Sequence, residues 1–300
     1  MQQRNQALDF LRGIAIILVL FRHKQLFTFS QTMGWIGVDL FFVLSGFLVS
    51  GLLFKEYLKF GNFSPKLFLI RRGFKIYPVF YLSLVPFLIF IVYINKFSLT
   101  YFFSEIFFVQ NYVTGFGWAL NGVSWSLAVE EHFYIGLSVS LFLLLKFKIL
   151  NLIPKNKDKF GSFEYGIFII MILCNLLRFL HNYYDFENYE RNFTMTHLRI
   201  DSLLAGVLVS YLFYFKQQLL IKIYNKYKYH FVFFSLLLVS YTPFIEPYNS
   251  FFVKTLGFTM LYIAFSLILI IFLLSNSILN YLNRFLSPLL VNLIAKTGFY

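Results

Sequence analysis

The sequence predicts an all-α fold, a polytopic transmembrane helix bundle of about eight spans plus the start of a ninth. Three observations carry this. Hydrophobic residues make up 59% of the 300 positions and charged residues only 13%, a balance far from that of a soluble globular domain. Apolar runs near the ~20 residues needed to cross a ~30 Å hydrocarbon core recur along the chain. The segments between them alternate between basic and charge-poor.

The first two runs fall in residues 8–56, LDFLRGIAIILVLFRHKQLFTFSQTMGWIGVDLFFVLSGFLVSGLLFKE, which read as a hairpin of two spans. The first span carries Arg12, Arg22, His23 and Lys24 within or beside its apolar run. Charge at membrane depth is costly and usually serves a function. Arg12 and His23 are eleven positions apart. At ~100° per residue they return to within about 20° of the same helix face, separated by ~16 Å of rise. Because this run is charged and a second follows almost at once, it is not a cleavable signal.

Spans are expected at roughly 8–29, 34–54, 75–94, 125–146, 163–181, 198–215, 230–243 and 255–275. Residues 99–113 are apolar but interrupted by Glu105, and read as an interfacial or re-entrant helix. The stretch from Leu289 opens the ninth. Loop 55–75 carries Lys55, Lys59, Lys66, Arg71, Arg72 and Lys75. Loops 146–162 and 216–229 are likewise lysine-rich. The intervening loops hold only Lys96, Arg191 and Lys254 clear of span edges, and 182–197 is acidic. This alternation predicts a cytoplasmic N-terminus in the cytoplasmic (inner) membrane. It also accounts for the net charge of +13 through lipid headgroups, with no nucleic-acid partner. Cys174, the single cysteine, rules out a disulfide framework and a CxxC centre. No histidine has metal-ligand spacing with a second ligand, so no metal is expected. No internal repeat of the kind common in secondary transporters is evident.

This orientation sorts the polar residues by depth. Arg12 and the cluster RRGFKIYP (Arg71, Arg72, Lys75) lie at the inner end, as a candidate polyanion site or as ordinary positive-inside charge. His23, Asp39, Glu130 and Glu131, Arg199 and Asp201 lie at similar depth towards the outer end, on four spans. Such groups are expected to face one another or a wet cavity, as a working site or as a structural polar network. An acid beside an imidazole makes a general base. Trp125 and Ser126 line the cavity mouth, or Trp125 is an interfacial anchor. Ser45 and Gly46 offer a nucleophile or, more simply, close helix packing.

LDFLRGIAIILVLFRH resembles the opening motif of the membrane acyltransferase-3 family, in which a basic residue precedes a His by ten intervening positions. GVDLFFVLSGFLVS, RRGFKIYPVFYL, WSLAVEEHFY and LRIDSLLAGVLVS resemble the later motifs, in the same order. The resemblance implies one integral membrane acyltransferase domain over residues 1–300. It would transfer an acyl group, commonly acetyl, from cytoplasmic acetyl-CoA to a hydroxyl of an extracytoplasmic glycan, with no permanently bound cofactor. It implies His23 as the catalytic histidine; by depth, Glu130 or Asp39 is the acid that orients it. By the resemblance Arg12, Arg71 and Lys75 would sit on the donor side, and Trp125, Ser126 and Glu130 near the acceptor; by depth, Arg72 joins the donor side and Arg199 and Asp201 the acceptor side. A covalent intermediate on His23 or Ser45 is the second route. Family members continue past a segment like IAKTGFY into a final span with another His. The domain is therefore expected to lack its last span or spans, and a partner protein would deliver the acceptor or perform any second step. A lipid-linked-sugar transporter or flippase, and an inactive truncated acyltransferase, are the rival readings.

Overall fold

The computed structural model describes residues 5–23, 32–113, 122–275 and 277–299. Among these the regular elements are helical. In chain order they are α1 (Gln6–His23), α2 (Gly37–Phe60, preceded by a 3-10 turn Gly34–Ile36), α3 (Pro65–Tyr93), α4 (Leu99–Ile106) and α5 (Gln110–Val113). There follow α6 (Trp125–Lys146), α7 (Ser162–Tyr184), α8 (Tyr189–Thr194), α9 (Ile200–Phe215) and α10 (Gln217–Val239). A π-helical turn, Val253–Gly257, leads into α11 (Phe258–Leu274), and α12 (Ile278–Phe285) and α13 (Pro288–Phe299) complete the order.

Five helices among the described residues are long and apolar enough to cross a membrane, or six if α9 and α10 form one bent span. The expected eight spans and start of a ninth are not reached on that measure. Helix α1 is described only as far as His23, and α13 has 12 residues. The expected spans 198–215 and 230–243 become α9 and the second half of α10, and α9 meets the start of α10 at a 109° bend beside Lys216. Lys222, Lys226 and Lys228, expected in a loop, lie within α10, because unbranched lysine side chains are compatible with helix.

The basic cluster is likewise helical. Loop 55–75 shrinks to residues 61–64, because α2 runs to Phe60 and α3 starts ten residues earlier than expected. Ser64 caps α3 by accepting the Leu67 N–H at 3.3 Å, and Pro65 occupies the first turn, where its missing N–H is harmless. Helix α3 also accommodates Pro78 and Pro86. The single helix expected over 99–113 divides at residues 107–109, between α4 and α5, where Phe108 has φ 57°.

The chain divides into two compact units. The first comprises Met1–Leu48, Pro154–Gly161 and Ser202–Tyr300; the second comprises Val49–Ile153 and Ser162–Asp201. In the first, α1 packs along α13, around a core of Phe10, Val291, Ile294 and Ala295. Glycine permits this approach: a Cβ on Gly13 would collide with the Ile294 carbonyl, and one on Gly298 with the Asp9 carbonyl. Gly46 of α2 meets the Leu203 backbone, and Gly206 of α9 meets that of Val43. Gly46 is therefore a packing residue. In the second unit, α3 packs on α6 around Phe80, Leu84, Phe108 and Ala128.

Candidate functional site

In the first unit, Arg12 is half-buried on α1 and His23 is exposed at that helix's last described residue. Lys24 lies outside the described residues. Arg22, next to His23, pairs with Glu246 at 2.9 Å and lies over the Tyr248 ring at 5.1 Å, so the segment before α11 docks against the end of α1. Asp39, in the first turn of α2, is buried and accepts the Ser202 hydroxyl at 3.2 Å. Ser45 is buried on the same helix. Lys254, read from the sequence only as a loop charge, is fully buried in the π-helical turn. The Trp35 indole packs edge-on against Phe258, 6.2 Å between centroids.

The second unit holds the most extended polar network. Arg72 of α3 donates to the Tyr134 hydroxyl of α6 at 2.9 Å, and its guanidinium lies 4.7 Å from that ring's centre. Tyr134 in turn donates to Glu130, one helical turn back, at 2.5 Å. Glu131 is buried and accepts the Tyr77 hydroxyl at 2.9 Å. Consecutive carboxylates on α6 are thus each held by a tyrosine, one from their own helix and one from α3. Arg71 and Lys75 lie on the exposed surface of α3. A groove of about 500 Å³ runs along this helix, lined by Gly73, Phe74, Tyr77, Pro78 and Tyr81 among others.

At the start of α6, Trp125 is buried and the Ser126 hydroxyl bonds the Val123 carbonyl at 3.3 Å. Arg199 is buried between the rings of Trp125 and Phe193, 6.0 and 5.9 Å from their centres. Asp201 does not join this group. It forms a bidentate pair with Arg178 of α7, at 2.7 and 3.2 Å, with both side chains fully buried. Nearby, His132 bonds the Thr196 hydroxyl oxygen at 2.7 Å, which also accepts from Asn111 at 2.9 Å. Tyr112 stacks on His197 and bonds its Nδ1 at 3.0 Å. Burial pushes the His197 pKa below its ordinary value, and the neighbouring His181 pushes it the same way.

The structure therefore joins some of the residues expected at the site and leaves others separate. Trp125 and Arg199 meet, Glu130 meets Arg72 through Tyr134, and Asp201 meets an arginine that the sequence reading passed over. His23 and Asp39 belong to the first unit and Glu130 to the second. Arg178 had a legible signal, being an arginine inside the apolar run of the fifth expected span. Tyr77 and Tyr134 had none, since the chain has 21 tyrosines and nothing in spacing marks these two.

The acyltransferase domain of the acyltransferase-3 family matches residues 5–297. A Staphylococcus aureus (strain COL) protein, whose name gives it as a candidate O-acetyltransferase, is 30% identical over 220 residues. That match covers 68% of this chain and 34% of the relative. The peptidoglycan O-acetyltransferase OatA of Listeria monocytogenes is 31% identical over 154 residues, covering 47% of this chain and 24% of the relative. The O-acetyltransferase OatA of S. aureus (strain NCTC 8325) is 27% identical over 219 residues, covering 68% and 34%. The chain thus spans about a third of the length of the curated relatives it matches. No solved structure matches. With a match from residue 5 to residue 297 and at least five helices able to cross a bilayer, the chain is a membrane protein that belongs to the acyltransferase-3 family.

Proposed function

We propose that this domain is an O-acetyltransferase that carries an acetyl group from cytoplasmic acetyl-CoA to a hydroxyl of an extracytoplasmic glycan. The observation that carries the reading is the family match over nearly the whole chain, supported by relatives named as O-acetyltransferases, one of them acting on peptidoglycan. The alternation of basic and charge-poor segments along the sequence supports a cytoplasmic N-terminus. Arg71 and Lys75 on α3, and separately Arg12 on α1, are the cations proposed for the donor's phosphates. Trp125 and Ser126, with Arg199 against the Trp125 ring, shape the acceptor end.

His23 acts as general base. The acceptor oxygen attacks the thioester carbonyl as His23 takes its proton. The C–S bond breaks, and that proton passes to the departing CoA thiolate, giving an O-acyl ester and free CoA. A partner protein supplies the acceptor where the domain alone does not reach it. The test is incorporation of labelled acetyl from acetyl-CoA into glycan by membranes containing the chain. Wild type incorporates label and His23→Ala, inserted at the same level, does not. Equal incorporation by the variant would sink the mechanism.

A further inference from the structure

Arg72 was read from the sequence as a fourth phosphate-binding cation, beside Arg71 and Lys75. The structure gives it different surroundings. Arg71 and Lys75 are exposed on α3, whereas Arg72 is partly buried against α6. Its guanidinium meets one residue in two ways, donating to the Tyr134 hydroxyl at 2.9 Å and lying 4.7 Å from the centre of the same ring. Arginine suits such a site because its planar fork can stack and donate at once; lysine cannot do both with the same geometry.

The donor and acceptor roles in this chain of contacts are fixed. An arginine can only donate, so the Tyr134 oxygen accepts from it. That leaves the single hydroxyl proton of Tyr134 to go onward, and it goes to Glu130 at 2.5 Å. Glu130 is thereby held at Oε2 from α3 through Tyr134. The adjacent Glu131 is held separately, by Tyr77 at 2.9 Å. Two neighbouring carboxylates on one helix are thus given different partners.

We propose that Arg72 is a positioning residue, which acts through Tyr134 to orient Glu130 for acyl transfer, and is not a ligand of the donor's phosphates. This rests on the acyltransferase reading above. It separates the basic cluster into two functions: Arg71 and Lys75 for binding the donor, Arg72 for aiming a carboxylate.

The experiment measures two quantities on each variant: labelled-acetyl incorporation at saturating acetyl-CoA, and equilibrium binding of labelled CoA to the solubilised protein. Arg72→Gln and Tyr134→Phe are each expected to slow incorporation by about tenfold or more, as loss of positioning does, with CoA binding unchanged. Because both act on one carboxylate, the double variant is expected to be no slower than the slower single variant. Arg72→Lys, which retains a donor but loses the stacked plane, falls between wild type and Arg72→Gln. Arg71→Gln and Lys75→Gln show the opposite pattern, with weaker CoA binding and a near-normal rate at saturation. If Arg72→Gln fails to accumulate, Tyr134→Phe, which removes one hydroxyl, carries the test alone. Weakened CoA binding with a normal saturated rate in Arg72→Gln overturns the proposal, as does additivity of the two substitutions. If wild type transfers no acetyl at all, the acyltransferase reading fails and takes this proposal with it. If wild type transfers acetyl and Arg72→Gln and Tyr134→Phe do so equally well, only the positioning role is lost.

Discussion

Arg178 of α7 and Asp201 of α9 form a two-pronged ion pair with no solvent exposure on either side chain, at 2.7 and 3.2 Å, and the same arginine also donates to the Leu198 carbonyl at 3.1 Å. Removing one partner of such a pair leaves the other charge buried, which typically costs about 3–5 kcal/mol. Arg178→Met and Asp201→Asn are each expected to lower the thermal midpoint of the detergent-solubilised protein sharply. The double variant Arg178→Met, Asp201→Leu should recover much of that loss, because no charge is then stranded. Equal or greater damage in the double variant would show that the pair is not the source of the effect.

A crossing without side chains depends on residues with none. Gly46 and Gly206 sit where α2 and α9 approach backbone to backbone, and a Cβ at either would collide with a carbonyl of the other helix. Gly136 on α6 has open space at the same test. Gly46→Ala is therefore expected to destabilise by about 1–3 kcal/mol, the usual range for overpacking. Gly136→Ala should be neutral or stabilising by up to about 1 kcal/mol, since alanine favours helix over glycine. Thermal unfolding followed by circular dichroism separates the two. A similar midpoint for both would remove the close approach as an explanation.

These examples show where the sequence was informative. A helix that must span a bilayer has to be apolar for about 20 residues, so composition and periodicity exposed the fold class and five of the spans almost directly. Boundaries were harder. The Ser64–Pro65 cap was present as a signal, but the lysines and arginines after it look like loop residues to a hydropathy argument, so α3 was started ten residues late. The site was legible only as a set of residue types. Asp201 was legible as a polar residue at the start of a span, but its pairing with Arg178 of α7 was not. Nothing in linear spacing predicts such a pairing between residues on different helices.

The pairing of Tyr112 with His197 carries a pH signature. The folded state holds His197 below its ordinary pKa, near 6.5, through burial first and His181 second. The unfolded chain therefore binds the proton at a higher pH than the folded one does. Stability from this group is fully present above about 6.5 and is lost as pH falls through the lower folded value. The unfolding midpoint should decline as pH is lowered from about 7 to 5, and His197→Gln should flatten the part of that decline owed to this residue. An unchanged slope in His197→Gln would assign the decline to other groups.

The helix that carries Arg12 and His23 makes its most extensive helix contact with α13. Gly13 packs against Ile294, and Gly298 against the Asp9 carbonyl and the Gly13 amide, with Arg12 beside it. A side chain at Gly298 must push the two helices apart at the level of Arg12, while His23 lies about 16 Å further along α1. If α1 positions both ends of a site, displacement at one end should impair transfer without any change to the reacting groups. Gly298→Leu is therefore expected to weaken CoA binding and reduce labelled-acetyl incorporation per molecule of inserted protein. Thr297→Val, one position away, removes only a hydroxyl bonded to the Ile294 carbonyl at 2.7 Å and should leave both measurements near normal. Normal CoA binding and transfer in Gly298→Leu would mean that α13 is packing alone, with no part in holding α1 for the reaction.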